Sequence, residues 1–593
     1  MLSPQEMSLD KINSGGYIPL SNKSAPTVPV HRKPIWRHAI LGALGFAALT
    51  ILTLFHGSRS TPMTLLAANG ASIKDRCAQA DVLIPNNTSP ALDAILPEIA
   101  SGVYRKLSID YLSGAVQIPT ITHDNMGVPG KDERFEIFYK FARYLEKTFP
   151  LTHDVLALDK VNTHGLVYTW KGSDGSLKPT LLMAHQDVVP VPAQTIPTWT
   201  HPPFAGVFDG TYIWGRGSSD CKNQLIAILE SVELLLKADF KPRRTVILSF
   251  GFDEEVGGLQ GAGHLAPLIL ERYGKDSIAV IIDEGMKMQE LWGALVAQPG
   301  VAEKGAVDIK IVIRMPGGHS SVPPPHTSIG VLSELIQLIE TSTYPTYLDA
   351  LNPYYSTILC GAVYAPDFPP NLRKLLVRRS HSKQSDSVSC MGKDHLAEEA
   401  AKESLFHKYL MTTSIAVDVI SGGEKSNALP EEATVVINHR VNIGDSVSLV
   451  KSKIRELAKQ VATKYNLTLH AYDNITESSS IMLSAPQHLD TAPVTPSIID
   501  PISAWSVLSG TTRAQYGTGV IMTPGLMTGN TDTRFYWDLT RDIFRYGPGF
   551  DGDGDGVMGG IHTVNERVSI KDHIETIKWF VQFIRNMDEA RLA

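Results

Sequence analysis

Cysteine is scarce in this chain, and that scarcity excludes several designs. Cys77, Cys221, Cys360 and Cys390 are the only four in 593 residues, too few for a disulfide scaffold at this size. No CxxC occurs, which argues against thiolate zinc ligation. One bridge is compatible with a lumenal location, and Cys360–Cys390 is the expected pair. Long basic runs are missing too, and the formal charge is −7 at pH 7, which excludes nucleic acid as a partner class. There is no internal repeat and no low-complexity tract. With 43% hydrophobic and 19% charged residues, what remains is a globular protein whose length predicts two domains plus appendages.

One apolar run has the length to cross a bilayer. Ala39–Phe55 carries no charge over 17 residues, at the short end of the spanning range of about 17–25. Arg32, Lys33 and Arg37 precede it and only Arg59 follows closely, so the positive side stays in the cytosol and the bulk of the chain crosses. The region before the run is too long for a cleaved signal peptide, and an uncleaved anchor of a single-pass type II membrane protein is expected. The sequons at Asn86, Asn87, Asn466 and Asn474 all follow the span and are the expected glycosylation sites.

After the span, the pattern Phe135, Ile137, Phe138, Phe141, Leu145 predicts an amphipathic helix over 131–148. Near-continuous apolar runs at 180–189, 245–252 and 278–282, with a long helix at 222–238, predict an α/β domain with a mainly parallel sheet. Near residue 300 the pattern turns to alternating strands (307–315, 433–441) and helices (329–339, 446–465), the mark of a smaller inserted α+β domain. The expected organisation is therefore a tail at 1–38, an anchor at 39–56 and a stalk at 57–100. A catalytic domain follows in two parts, 101–300 and 479–593, around an inserted lid at 301–478 that itself carries an insertion at about 343–410.

The chemistry stands at the ends of the apolar strands, where α/β sheets bind ligands. His185 and Asp187 follow the first, Glu254 and Glu255 the second, and Asp283 the third; Asp220 closes a Gly/Ser turn. With the late His562, these residues can hold two zinc ions per subunit if Asp220 bridges. One ion would take Asp220, Glu255 and His562, and the other Asp220, His185 and Asp283. Such a pair acidifies a shared water and polarises a carbonyl. Glu254 is the expected general base, and Asp187 the acceptor that fixes the His185 tautomer.

His185-Gln186-Asp187, the GRGSSD run ending at Asp220, Asp253–Gly258, the Asp of IIDEG and His562 resemble the co-catalytic zinc metallopeptidases of the carboxypeptidase S, glutamate carboxypeptidase and aminoacylase type. The resemblance covers roughly residues 100–593. It implies a zinc exopeptidase that takes the C-terminal residue from short peptides with a free carboxylate, in a vacuole- or lysosome-like compartment. It also implies that His319 polarises the scissile carbonyl and that Asn427 and Arg440 hold the substrate carboxylate. Arg534 is a rival for that last task, since either guanidinium fork fits a carboxylate. Family members that dimerise can draw the lid histidine from the partner subunit, so a homodimer is possible; the 343–410 insertion departs from the compact pattern. An N-acyl-amino-acid amidohydrolase would use the same site, and a non-catalytic membrane receptor would have less reason to keep Glu254. The run Asp551–Gly556 begins like a calcium loop but has His562 where the bidentate Glu belongs, and is read as a solvated acidic loop.

Overall fold

The computed structural model describes residues 75–381, 393–550, 552 and 560–592. The tail and the apolar run at 39–56, the start of the 57–100 segment, Cys390 and most of Asp551–Gly556 lie outside the described residues. Among the described residues no helix is long and apolar enough to cross a membrane.

The main sheet has eight strands. In spatial order they are Ala157–Val161, Gly165–Trp170, Val246–Gly251, Thr180–His185, Val280–Met286, Ile543–Tyr546, Gly300–Glu303 and Gly525–Met527. Thr180–His185 runs parallel to both neighbours, and Val280–Met286 runs parallel to Ile543–Tyr546. Antiparallel pairs flank this centre, so the sheet is mixed where a mainly parallel one was expected. Every residue of Thr180–His185 and Val246–Gly251 is buried, as a strand covered on both faces requires. Leu182 and Ala184 face the helices Gly102–Val116, Lys222–Lys237 and Ile570–Glu589, while Leu181 and Met183 face Ala262–Tyr273. Two-residue alternation along one strand thus feeds two separate cores.

The chain leaves this sheet after Gly300–Glu303 and returns to it at Gly525–Met527. Between them lies a second, six-stranded sheet, in which Glu432–Val441 pairs antiparallel with Gly305–Arg314 along ten residue pairs. Glu432–Val441 alternates buried and more exposed positions, and its apolar side packs under the helices Ser328–Thr341 and Val447–Tyr465. This is the one-sided arrangement the alternating sequence predicts.

Two expectations need correction here. The 343–410 insertion folds into the helices Pro353–Tyr364, Pro370–His381, His395–Ala400 and Leu405–Tyr409 around a core it shares with Val296, Ala302, Ile521 and Leu526. Cys360, on the first of these, is bonded to Cys77 and not to Cys390, with Cα atoms 5.3 Å apart and a sequence separation of 283. Tyr364 donates to the Cys77 carbonyl at 3.0 Å, so the helix face brings the two cysteines together although they are remote in sequence. The segment expected as a stalk is, from Cys77 onward, packed: Leu92, Ile95 and Ile99 are buried in the main core.

Candidate metal centre and substrate cavity

Asp220 lies at the centre of the site. Its Oδ1 is 3.1 Å from His185 Nε2 and its Oδ2 is 3.2 Å from His562 Nε2. Glu255 Oε2 reaches the same His562 nitrogen at 3.0 Å, and Glu284 Oε1 lies 3.4 Å from His185 Nε2. Two donor sets therefore share one carboxylate: His185, Asp220, Cys221 and Glu284, and Asp220, Glu255 and His562, with the donor atoms of each set within 4.8 Å of one another.

Glu284 stands where Asp283 was expected. Successive strand side chains point to opposite faces, and the pairing with Ile543–Tyr546 slips between Asp283 and Met286, a bulge that turns Glu284 toward His185. Asp283 is buried on the other side, within range of the Glu303 and Arg545 charges; burial, and then the Glu303 charge, raise it to about 6 against the lowering pull of Arg545. The adjacent acid in Asp283-Glu284 was the only signal in the sequence, and nothing there says which of the two faces the site.

The other placements follow from local hydrogen bonding. The Asp187 carbonyl lies 3.0 Å from His185 Nδ1 and its carboxylate 3.3 Å away, so the residue orients the imidazole chiefly through its backbone. Its carboxylate accepts from the backbone N–H groups of Glu254 and Glu255, at 3.1 Å each, and from the Thr122 hydroxyl at 2.8 Å. That fixes the short turn Glu254–Val256, from which Glu254 enters the cavity. Gly258 has φ +66, and a Cβ there would fall 2.1 Å from Asp532 Oδ1, so the glycine lets Asp532 pack under the turn. The Asp220 turn is held by Glu566, which accepts from the backbone N–H groups of Gly217, Ser219 and Asp220 and pairs with Arg216 at 2.5 Å. Neither Asp532 nor Glu566 was a sequence candidate, since lone acids outside a motif carry no signal.

Charge is crowded here. Burial, and then the Asp220 charge, raise Glu255 to about 7; burial raises Glu284 to about 8. Burial and the Glu284 charge push Glu254 well above the carboxylate range. Burial opposes ionisation of Asp220, but hydrogen bonds from His185 and His562 outweigh it and hold the carboxyl low. Hydrogen bonds to Asp220 and Glu255 raise His562 to about 10. Glu255 Oε1 is buried without a hydrogen-bond partner. Buried acids with too few counter-charges, an orphaned oxygen and two donor sets, chiefly of N and O atoms, sharing one carboxylate fit a pair of divalent cations.

A cavity of about 1250 Å³ opens over this cluster; Asp220, Glu254, Glu255, Glu284 and His562 line it together with Arg440, Asn530 and Arg534. The Arg440 guanidinium donates to Asn530 Oδ1 at 2.9 Å, and the Asn530 amide donates to the Lys304 carbonyl at 2.6 Å. His319 and Asn427 are elsewhere. His319 lies opposite Ala428 in a two-residue strand pair, both it and Asn427 are exposed, and neither lines the cavity. The roles expected of them are therefore not assembled within one copy of the chain. The asparagines of the four sequons at Asn86, Asn87, Asn466 and Asn474 are all exposed.

Comparison with known proteins agrees with this geometry. Residues 181–586 match the model of peptidase family M20/M25/M40. The chain is 40% identical to carboxypeptidase S of Saccharomyces cerevisiae over 95% of its own length and 99% of the relative's. It is 30% identical to the N-fatty-acyl-amino acid synthase/hydrolase PM20D1 of Bos taurus, covering 80% of this chain and 87% of that one. Among solved structures, human carnosine dipeptidase 1 shares the fold with a TM-score of 0.56 at 15% identity, covering 85% of this chain and all of that one.

Proposed function

We propose a metallocarboxypeptidase, because the chain belongs to peptidase family M20/M25/M40 and one cavity joins a two-cation donor cluster to an arginine suited to a free carboxylate. That juxtaposition carries the reading. Two zinc ions, held by His185, Asp220 and Glu284 and by Asp220, Glu255 and His562, supply when bound an acidified water and a polarised carbonyl. Glu254, which lines the cavity beside the donor cluster, takes the proton from the attacking water and delivers it to the leaving amine nitrogen. Arg440, braced by Asn530, binds the C-terminal carboxylate. Arg534, in the same cavity and stacked 4.7 Å from the Phe535 ring, is the second candidate for that contact.

His319 and Asn427 would keep their expected roles only in a homodimer, where the exposed hairpin of one copy serves the cavity of another. The catalytic part is lumenal and anchored by residues 39–56 in a vacuole- or lysosome-like membrane. The Cys77–Cys360 bridge is in keeping with an oxidising lumen. The four exposed sequon asparagines are in keeping with glycosylation there. Release of the C-terminal residue from an N-blocked dipeptide, compared with its C-terminal amide, tests the activity: the acid is cleaved and the amide is not. A second reading, hydrolysis of N-acyl amino acids, is favoured by the likeness to PM20D1, and a long-chain N-acyl amino acid in the same assay separates the two.

A further inference from the structure

The stretch from residue 404 to 414, where the 343–410 insertion ends, runs along the wall of the cavity. Phe406, Tyr409 and Ser414 from this stretch line it together with Asp220 and Arg440. Phe406 packs at the edge of the core that the insertion shares with main-sheet strands, and buried Leu526 belongs both to that core and to the cavity wall. An apolar core therefore surfaces inside a cavity whose floor is charged.

The same few hydrogen bonds fix this wall and the arginine. Lys304, fully buried, donates from Nζ to the carbonyls of Tyr409 at 2.8 Å and Thr412 at 2.7 Å. Its own carbonyl accepts from Asn530, which accepts from Arg440. Ser414 and Arg440 exchange two further bonds: the Arg440 N–H donates to Ser414 Oγ at 2.9 Å, and the Ser414 N–H to the Arg440 carbonyl at 3.1 Å. At the far end the Cys77–Cys360 bridge staples the insertion down. A C-terminal residue carries its carboxylate and its side chain on one carbon, so a wall tied at fixed spacing to the carboxylate's arginine meets that side chain.

We infer that the 343–410 insertion builds an apolar subsite, walled by Phe406 and Tyr409, for the side chain of the substrate's C-terminal residue. This rests on the carboxypeptidase reading above. Lys304 is its positioning residue, and the subsite takes large apolar side chains of the Leu and Phe type.

The test uses the full-length enzyme and N-blocked dipeptides that differ only in a C-terminal Gly, Ala, Leu or Phe. In the wild type, kcat/KM for Leu and Phe exceeds that for Gly. In Phe406→Ala and Tyr409→Ala that ratio falls about tenfold or more, as expected when contact with an apolar side chain is lost. Lys304→Met, which keeps the volume and removes the donor, lowers the same ratio; a merely structural loss would lower all four substrates together. Cleavage with an unchanged ratio in the alanine variants, or a proportional loss across all four, overturns the subsite while leaving the carboxypeptidase reading intact. A wild type that releases no C-terminal residue from any of them overturns both.

Discussion

The donor cluster was read from the chemistry at the strand ends and the His319–Asn427 pair from a family resemblance, and the two are built in opposite ways. His185, Glu255 and Glu284 come from or just beyond strands of one buried sheet and Asp220 and His562 from turns beside it, and the members reach each other within 3.0–3.4 Å. The hairpin is two residues wide, exposed, and held by the 428–429 pairing and by contacts such as Ser321 Oγ to His319 Nδ1 at 2.7 Å. Strand ends of a covered sheet converge because the sheet leaves them no other direction. Among the described residues this surface hairpin meets no other site residue, so its expected chemistry needs a second copy or does not exist.

The contrast can be tested at its strongest point first. Glu254→Gln should lower kcat about 10³-fold or more while retaining the metal, measured by turnover and by metal content of the same preparation. Near-normal turnover would remove Glu254 from the cluster's chemistry. Arg440→Ala comes next: kcat/KM for a free-acid substrate should drop about 10²-fold, with little change for an ester of the same peptide. His319→Ala should lose turnover and regain it when mixed with Glu254→Gln copies, since one site of a mixed pair then has both residues. A monomer whose activity is indifferent to His319→Ala would leave the hairpin outside the reaction. Removing the bridge by Cys77→Ser should lower stability by about 2–5 kcal/mol, read by thermal unfolding.

The smallest effect is on pH. Glu255 and Glu284 rise on folding from an ordinary 4.5 to about 7 and about 8 when no cation is bound. An acid whose pKa is raised by folding favours the folded state while protonated, so this stability is complete below about 4.5 and is lost as the pH passes 7–8. The chelated protein should therefore melt at lower temperature at pH 8 than at pH 5, and the gap to the metal-loaded protein should widen over that window. A gap that narrows would mean these carboxylates are not the cation's ligands.

Most of the site was legible because periodicity and chemistry coincided. Thr180–His185 and Val246–Gly251 could be read as buried strands, and His185 and Glu254-Glu255 stood at their ends. The failure at Asp283 is instructive: two acids side by side on a strand carry the same composition, and only a bulge in the ladder selects Glu284. The expected Cys360–Cys390 pairing failed for a different reason, since nearness in sequence is no guide to which helix face meets which turn, and Cys360 is bonded to Cys77. Lys304, Asn530 and Glu566 were silent, because their roles exist only through tertiary hydrogen bonds to other segments.

The Glu566 contacts have a consequence for how the protein is made. The turn that carries Asp220 receives three of its backbone hydrogen bonds and its Arg216 partner from a residue near the end of the chain, and His562 comes from the same region. A nascent chain can complete the 180–185 and 246–251 strands long before those residues leave the ribosome, yet it cannot close the donor cluster. The donor set that includes His562 is thus completed only after the chain has been made through that residue, and a product truncated before residue 562 should fold much of its sheet and still lack the second donor set.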